Sequence, residues 1–390
     1  MIGITRVPFG DLVETVSYRG HQVDASRFLP SGQYPVVDQG ENEIAGYVND
    51  VEPIKAPLPL VVFGDHTRNV KFADRPFVVG ADGVKLLRPK DQRIGARYLY
   101  WLTIFAGSRI PNLGYSRHFS SLREVVVPVL ESAEARAKAA FYLDRVQHIV
   151  DTLSAVIAAK REFKRGLMQE LLTGRRRFPE FVTADPWVKV RLGDIVAPVQ
   201  RPVAWDDHAQ YRLVSIRRRN GGLFLREVVR GADIKTKKLF TVRTGDLVLS
   251  RMQVVHGAVA VVPPEFDGAH VSGMYMVLRP QQPVRVRTEF LHYLFHLPHM
   301  YQLVLRCCYG VHIEKMTFNP DRFFRSRVLI PQTIDEQDRI TAVLRWLDQE
   351  IDTLVRLHAA HREQQRGLMQ KLLTGELTIP VSSEPEPVHA

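Results

Sequence analysis

The stretch RGLMQELLTG at Arg165–Gly174 returns as RGLMQKLLTG at Arg366–Gly375, with nine of ten positions identical at a spacing of 201 residues. Such a recurrence ties the fold to an internal duplication. Read backward at the same offset, Leu143/Leu344, Val150/Ile351, Asp151/Asp352, Thr152/Thr353, Leu153/Leu354 and Arg161/Arg362 also correspond. Apolar residues step by three and four, at Leu143, Val146, Val150, Leu153, Ile157, Leu167 and Leu171, and again at Leu344, Leu347, Ile351, Leu354, Leu368 and Leu372. This is the seam spacing of coiled-coil helices. Gly174 and Gly375 follow the last apolar pair, where a left-handed residue stops a helix. The first helix is predicted from about Glu134 to Thr173, roughly 60 Å at about 1.5 Å per residue, too long for one domain's core. Mid-seam, the residues turn polar at Lys160 and Lys164 in one copy and at His358, His361 and Gln365 in the other, so the helices are expected to splay there or to meet another chain.

Between the helices the texture changes. Residues 1–128 and 187–331 carry short apolar runs such as YPVVDQG, PLVVFGDH and GDLVLSRM, bounded by turn residues, as strands are. The two segments begin alike, VPFGDLVETV against VRLGDIVAPV, and end in REVVVPV and RSRVLIP, with little identity in between. The expected class is α+β: two strand-rich mixed domains at 1–128 and 187–331, separated by two long helices at 129–174 and 332–378. A linker at 175–186 and a disordered polar tail at 379–390 complete the chain.

At 390 residues, two to four cores are expected, and 45% apolar with 24% charged residues suits a folded chain. The excess of 53 Lys and Arg over 42 Asp and Glu, a net +11, favours a polyanionic partner, although a basic solvated surface would give the same figure. Cys307 and Cys308 are the only cysteines and supply neither a disulfide framework nor metal-ligand spacing. The amino terminus lacks a secretory pattern and no apolar run reaches the roughly 18 residues of a membrane span, so a cytoplasmic protein is expected.

Catalytic signatures are missing. Neither a phosphate-binding Gly-x-x-x-x-Gly-Lys-[Ser/Thr] loop nor a Gly-x-Gly-x-x-Gly turn occurs. The Asp/Asn-Pro-Pro-aromatic tetrapeptide of adenine methylation is also absent, NPD at Asn319–Asp321 and DPW at Asp185–Trp187 coming nearest. FLHYLFHLPHM, with His292, His296 and His299, reads as an apolar helix rather than a metal site. Asp65–His66 forms a possible dyad without a nearby nucleophile. No catalytic residue, metal or cofactor is therefore assigned to this chain.

Basic residues beside aromatics and hydrogen-bonding groups on loops are the stronger signal. In the first domain they are His66, Arg68 and Lys71 of GDHTRNVKF and Tyr115, Arg117 and His118 of GYSRHF. In the second they are Arg217, Arg218, Arg219 and Asn220 of SIRRRNGG; Lys235, Thr236 and Lys237 of DIKTKK; Arg251, Gln253 and His256 of SRMQVVHG; and Tyr309, His312 and Lys315 of YGVHIEK. Lys and Arg neutralise phosphates, while Arg, Asn, Gln and His read base edges.

The two RGLMQ-x-LLTG helix ends, IPQTIDEQDRITAVLRWLDQEIDTL at 330–354 and GQYPVVDQGENEIAGY at 32–47 together resemble the specificity (S) subunit of type I restriction-modification enzymes, over residues 1–378. The first helix departs from the pattern, since VPVLESAEARAKAAFYLDRVQHIVDTL lacks the Glu-Gln pair. The resemblance implies two target-recognition domains, each reading one half of a split DNA site, with two antiparallel helices as spacer. It also implies docking of two methyltransferase subunits and, through them, restriction subunits; S-adenosylmethionine, ATP and Mg would belong to those partners. Lys160, Lys164, Arg165, Leu167, Met168 and Leu171, with His361, Gln365, Arg366, Leu368, Met369 and Leu372, are the expected partner-binding positions. Two other readings stay open at this point: an enzyme with its own methylation or cleavage centre, and a coiled-coil adaptor with two protein-binding domains.

Overall fold

A computed structural model of the chain describes residues 3–377 apart from 81, 82, 112, 113, 115 and 283, and apart from the side chain of Lys315. Tyr115 and the tail at 379–390 lie outside the described residues. The chain divides into two compact units, residues 1–155 with 355–390, and residues 156–354.

The first unit contains β1 (Ile4–Pro8), α1 (Phe9–Leu12), β2 (Val13–Val16), β3 (Gln22–Val23), β4 (Tyr34–Val37), β5 (Gly46–Val48), β6 (Leu60–Gly64), β7 (Val70–Ala73), β8 (Val78–Gly80), β9 (Val84–Pro89), α2 (Ala96–Gly107), α3 (Phe119–Glu124) and β10 (Val126–Leu130). Two four-stranded sheets run β2-β9-β6-β7 and β3-β8-β4-β5, and β1 pairs antiparallel with β10. The central strand β6 is buried along its whole length, as a continuous apolar run should be. α4 (Ala133–Leu171) begins in this unit.

The second unit holds β11 (Val188–Arg191), β12 (Val196–Pro198), β13 (Gln210–Ile216), β14 (Leu223–Arg230), β15 (Leu239–Thr241), β16 (Leu247–Ser250), β17 (Val259–Val261), β18 (His270–Ser272), β19 (Tyr275–Pro280), α5 (Thr288–Leu294), α6 (Pro298–Arg306), β20 (Cys308–Tyr309), β21 (Thr317–Phe318), α7 (Pro320–Arg325) and β22 (Arg327–Ile330). Its sheets run β12-β19-β16-β17 and β14-β13-β18-β15, and β11 pairs antiparallel with β22. The two four-stranded sheets and the closing strand pair repeat those of the first unit, except that β15 joins its sheet late in the chain and antiparallel to β18, where β3 joins early and parallel to β8; β20 and β21 form a further antiparallel pair without a counterpart among the described residues of the first unit. FLHYLFHLPHM is two helices rather than one, because Pro298 starts α6 and cannot continue α5. α8 (Ile334–Leu373) starts in this unit.

The duplicated helix ends are explained by what they cover. Met168, Leu171 and Leu172 enter one core with Leu192, Val328 and Ile330, while Met369, Leu372 and Leu373 enter another with Phe9, Val127 and Leu130. Each decapeptide thus seals the same strand pair of its unit. Both helices stop at a left-handed glycine, Gly174 at φ 72° and Gly375 at φ 70°. The chain then folds back identically, Arg176 N donating to Glu170 O at 3.2 Å and Leu377 N to Lys371 O at 3.0 Å.

The polar mid-seam does not splay. In the first unit Ser154 Oγ meets His358 Nε2 at 2.9 Å and Gln365 Nε2 donates to Gln147 Oε1 at 2.8 Å, so the helix segments there are antiparallel. In the second unit Lys160 pairs with Glu350 at 2.7 Å and Lys164 with Asp348. No helix among the described residues is long and apolar enough to cross a membrane.

Candidate nucleic-acid interface

In the second unit three loops meet. The turn between β13 and β14 carries Arg217, Arg218, Arg219 and Asn220, the last two left-handed at φ 57° and 53°. Arg219 N donates to His256 O and Asn220 N to Gly257 O, both at 2.7 Å, fixing this turn to the 3-10 turn Val254–His256. Asn220 Nδ2 donates to Tyr301 Oη at 3.0 Å and Phe295 O at 3.4 Å. Arg218 forms an ion pair at 2.7 Å with Glu314, on the loop between β20 and β21, and His256 Nε2 lies 3.1 Å from the same carboxylate. Arg217 lies over Phe224, 4.5 Å from the ring centroid. Arg217, Arg218, Arg219, Tyr309 and His312 are exposed, and His256 and Gln253 half-buried. The three loops thus bring exposed arginines together around the Glu314 carboxylate.

Asn220 is corrected from base reader to turn fastener, since its amide is engaged inside the protein. Lys235, Thr236 and Lys237 do not join the cluster. Lys237 pairs with Asp207 at 2.6 Å and sits over Trp205, which stacks on Tyr211 near the start of β13, whereas the arginines follow its end. That strand of seven residues separates the two patches by roughly 20 Å at about 3.3 Å per residue. Arg251 is half-buried, its backbone N donating to Met274 O at 2.8 Å.

In the first unit more of the expected residues make contacts within the chain. Lys71 is 7% exposed on β7 and pairs with Asp38 at 3.2 Å, so this cation is committed. His118 is buried with Nδ1 3.0 Å from Asp65 O. Arg68, left-handed at φ 62°, donates from Nη1 to Ile110 O at 2.8 Å and braces a loop. The Asp65 carboxylate accepts from Phe119 N at 2.7 Å at the start of α3, while His66 N donates to Gln39 Oε1 at 3.2 Å. Arg117 is exposed.

On the helices, Met168, Leu171, Met369 and Leu372 are core residues, with Leu167 and Leu368 packed against them. Met168, Leu171 and Leu372 are domain-packing positions, buried against the strand pairs, while Leu167 and Leu368 are half-buried. Lys160 and Lys164 are likewise engaged inside the chain, as is Gln365. Arg165 pairs with Glu162 on its own helix. Arg366 and its neighbour Arg362 are exposed and without an ion pair among the described residues; both line a groove of about 550 Å³ with Trp101, Gln147 and Met369. His361 is half-buried.

A second polar cluster, which the sequence did not reveal, lies where α5 meets the long helices. Tyr293 Oη donates to Asp348 Oδ2 at 2.8 Å, Lys164 Nζ lies 5.3 Å from the Tyr293 ring centroid, and His292 and His296 approach to 3.4 Å between their Nε2 atoms. Burial pulls the His292 pKa down to about 4 and that of His296 to about 3, with Lys164 lowering both further. These imidazoles are neutral packing groups.

No family model matches the chain, and no curated protein does. Among solved structures it is similar to the S subunit of a type I restriction-modification system from M. genitalium, at 14% identity and a TM-score of 0.61, covering 95% of this chain and 96% of that one. It is also similar, at 15% identity and a TM-score of 0.54 over 96% and 98% of the two chains, to a chain from a structure describing complex assembly and conformational transition of the type I R-M system. The likeness is one of fold.

Proposed function

We propose that this chain, which has the fold of a type I restriction-modification S subunit, is a DNA sequence-recognition subunit that reads a bipartite site, one half with each strand-rich domain. The observation that carries the reading is a scaffold built twice under different loops. Sheet order and helix ends repeat, while the exposed loop residues, such as the Arg217–Arg219 run, have no counterpart in the other domain. Two copies of one part suit two copies of one partner, and two unlike readers suit an asymmetric split sequence.

The partners in this reading are two methyltransferase subunits, with restriction subunits joining through them. S-adenosylmethionine, ATP and Mg belong to those partners, and this chain contributes recognition rather than catalysis. Gly166 and Gly367 support docking on the helices. Each is exposed in a helix interior, where glycine costs roughly 0.5–1 kcal/mol against alanine, and a Cβ at either would meet nothing within 4 Å. A neighbouring backbone approaching closely gives a reason for keeping both.

The test is the salt dependence of duplex binding by the full chain with its methyltransferase partner. For every phosphate that a side chain no longer neutralises, the slope of log K against log salt shrinks by about 0.9. Arg217→Ala, Arg218→Ala and Arg219→Ala together are expected to flatten the slope by about two, less than the full three because Glu314 already pairs with Arg218. An unchanged slope returns this run to a solvated turn.

A further inference from the structure

The loop between β20 and β21 lifts apolar side chains into water. Val311 is 97% exposed, and Tyr309 and Ile313 are 55% and 49% exposed. Its base is fixed: Cys308 pairs with Phe318 across the ladder, both side chains sit in the core of the unit, and Asn319 N donates to Cys307 O at 2.8 Å. Its flank is fixed by the Arg218–Glu314 ion pair. A hairpin anchored this way holds its apolar crown out in solvent, although covering such surface yields about 25 cal/mol per Å².

The surroundings select what covers it. Arg217, Arg218 and Arg219 are exposed beside the crown, His256 and His312 add ionisable rings, and Glu314 is engaged by Arg218. A polyanion fits that ring of charge. The major groove of B-DNA admits a two-stranded ribbon, and among its base edges only thymine presents an apolar group, the C5-methyl. We infer that the β20–β21 hairpin enters the major groove and that Val311 reads a thymine methyl group, with Tyr309 and Ile313 excluding water around it. The inference rests on the DNA-recognition reading and names a specificity-determining residue for it.

The full chain, assembled with its methyltransferase partner, is used to select duplexes from a randomised library, and each thymine of the selected site is then replaced singly by deoxyuridine. Wild-type affinity is expected to fall about four-fold at one thymine in one half-site, the equivalent of one buried methyl-sized group at ~0.8 kcal/mol. Val311→Ala, at so exposed a position, leaves folding intact and is expected to bind the thymine and deoxyuridine duplexes equally. Selective binding that tolerates deoxyuridine everywhere overturns the inference, as does an equal loss in wild type and Val311→Ala. A complex that selects no sequence at all overturns the recognition reading, and the inference with it.

Discussion

Gly166 and Gly375 belong to copies of one decapeptide, yet they answer to different physics. Gly375 is left-handed, and a Cβ there would run into Ile4; Gly174 is its counterpart, with Trp187 3.1 Å from the same hypothetical atom. Gly375→Ala is expected to lower stability by about 1–2 kcal/mol, the cost of a left-handed L-residue, read from the urea midpoint. Gly166→Ala and Gly367→Ala are expected to raise it, by roughly 0.5–1 kcal/mol each. The same two substitutions should weaken assembly with the proposed methyltransferase partner, and unchanged assembly would remove the close-approach argument. His292 and His296 give a pH dependence at this scale. Facing Lys164, Asp348 and Tyr293, they stay neutral in the fold down to about pH 4 and about pH 3, while the unfolded chain protonates them near pH 6.5. The unfolded state therefore binds more protons below pH 6.5, and stability falls as pH drops toward about 4, by up to ~1.4 kcal/mol per pH unit for each proton. His296→Leu should make that decline shallower in denaturation curves taken across the window.

At the scale of elements, the repeat is most informative where its copies differ. Where one helix pair carries Lys164 with Asp348, the duplicated positions of the other carry Gln365 with Gln147. Lys164→Gln alone leaves Asp348 without its cation, and Asp348→Gln alone strands a lysine whose side chain is 12% exposed. The double change installs the amide pair already used by the other unit, so it should be more stable than either single change, by about 1 kcal/mol or more in a double-mutant cycle. Additive single effects would contradict this. The helix starts show why the two domains' likeness was hidden in the sequence. Gln337 Nε2 donates to Arg285 O at 3.0 Å and Pro331 O at 3.4 Å; Arg136, at the duplicated position, donates to Arg93 O at 2.8 Å and Leu130 O at 2.6 Å. Equivalent carbonyls are bound by unlike side chains, so the missing Glu-Gln pair of the first helix signals a substitution of means. The long helices, their apolar seam and their glycine stops were legible because period and cap are local properties. The fate of Lys71, Arg68 and His118 was not, because Asp38, Ile110 and Asp65 lie 33, 42 and 53 residues away and local pattern carries no word of them. Val311 was missed for the opposite reason: a valine draws no attention until the fold leaves it bare.

For the whole molecule, duplication with divergence separates two tasks. The repeated strand pairs and helix ends pack alike in each unit, and in the proposed function the loops above them would be free to change what is read. On the proposed reading, that separation would make the domains exchangeable units of specificity. The most direct measurement is a map of the adenines methylated in cells that carry the full chain with its methyltransferase partner, before and after residues 1–128 are replaced by the equivalent domain of a relative. The predicted result is a split site of which one half changes and the other stays as it was. A map in which both halves change, or neither does, would contradict the claim that each domain reads its own half.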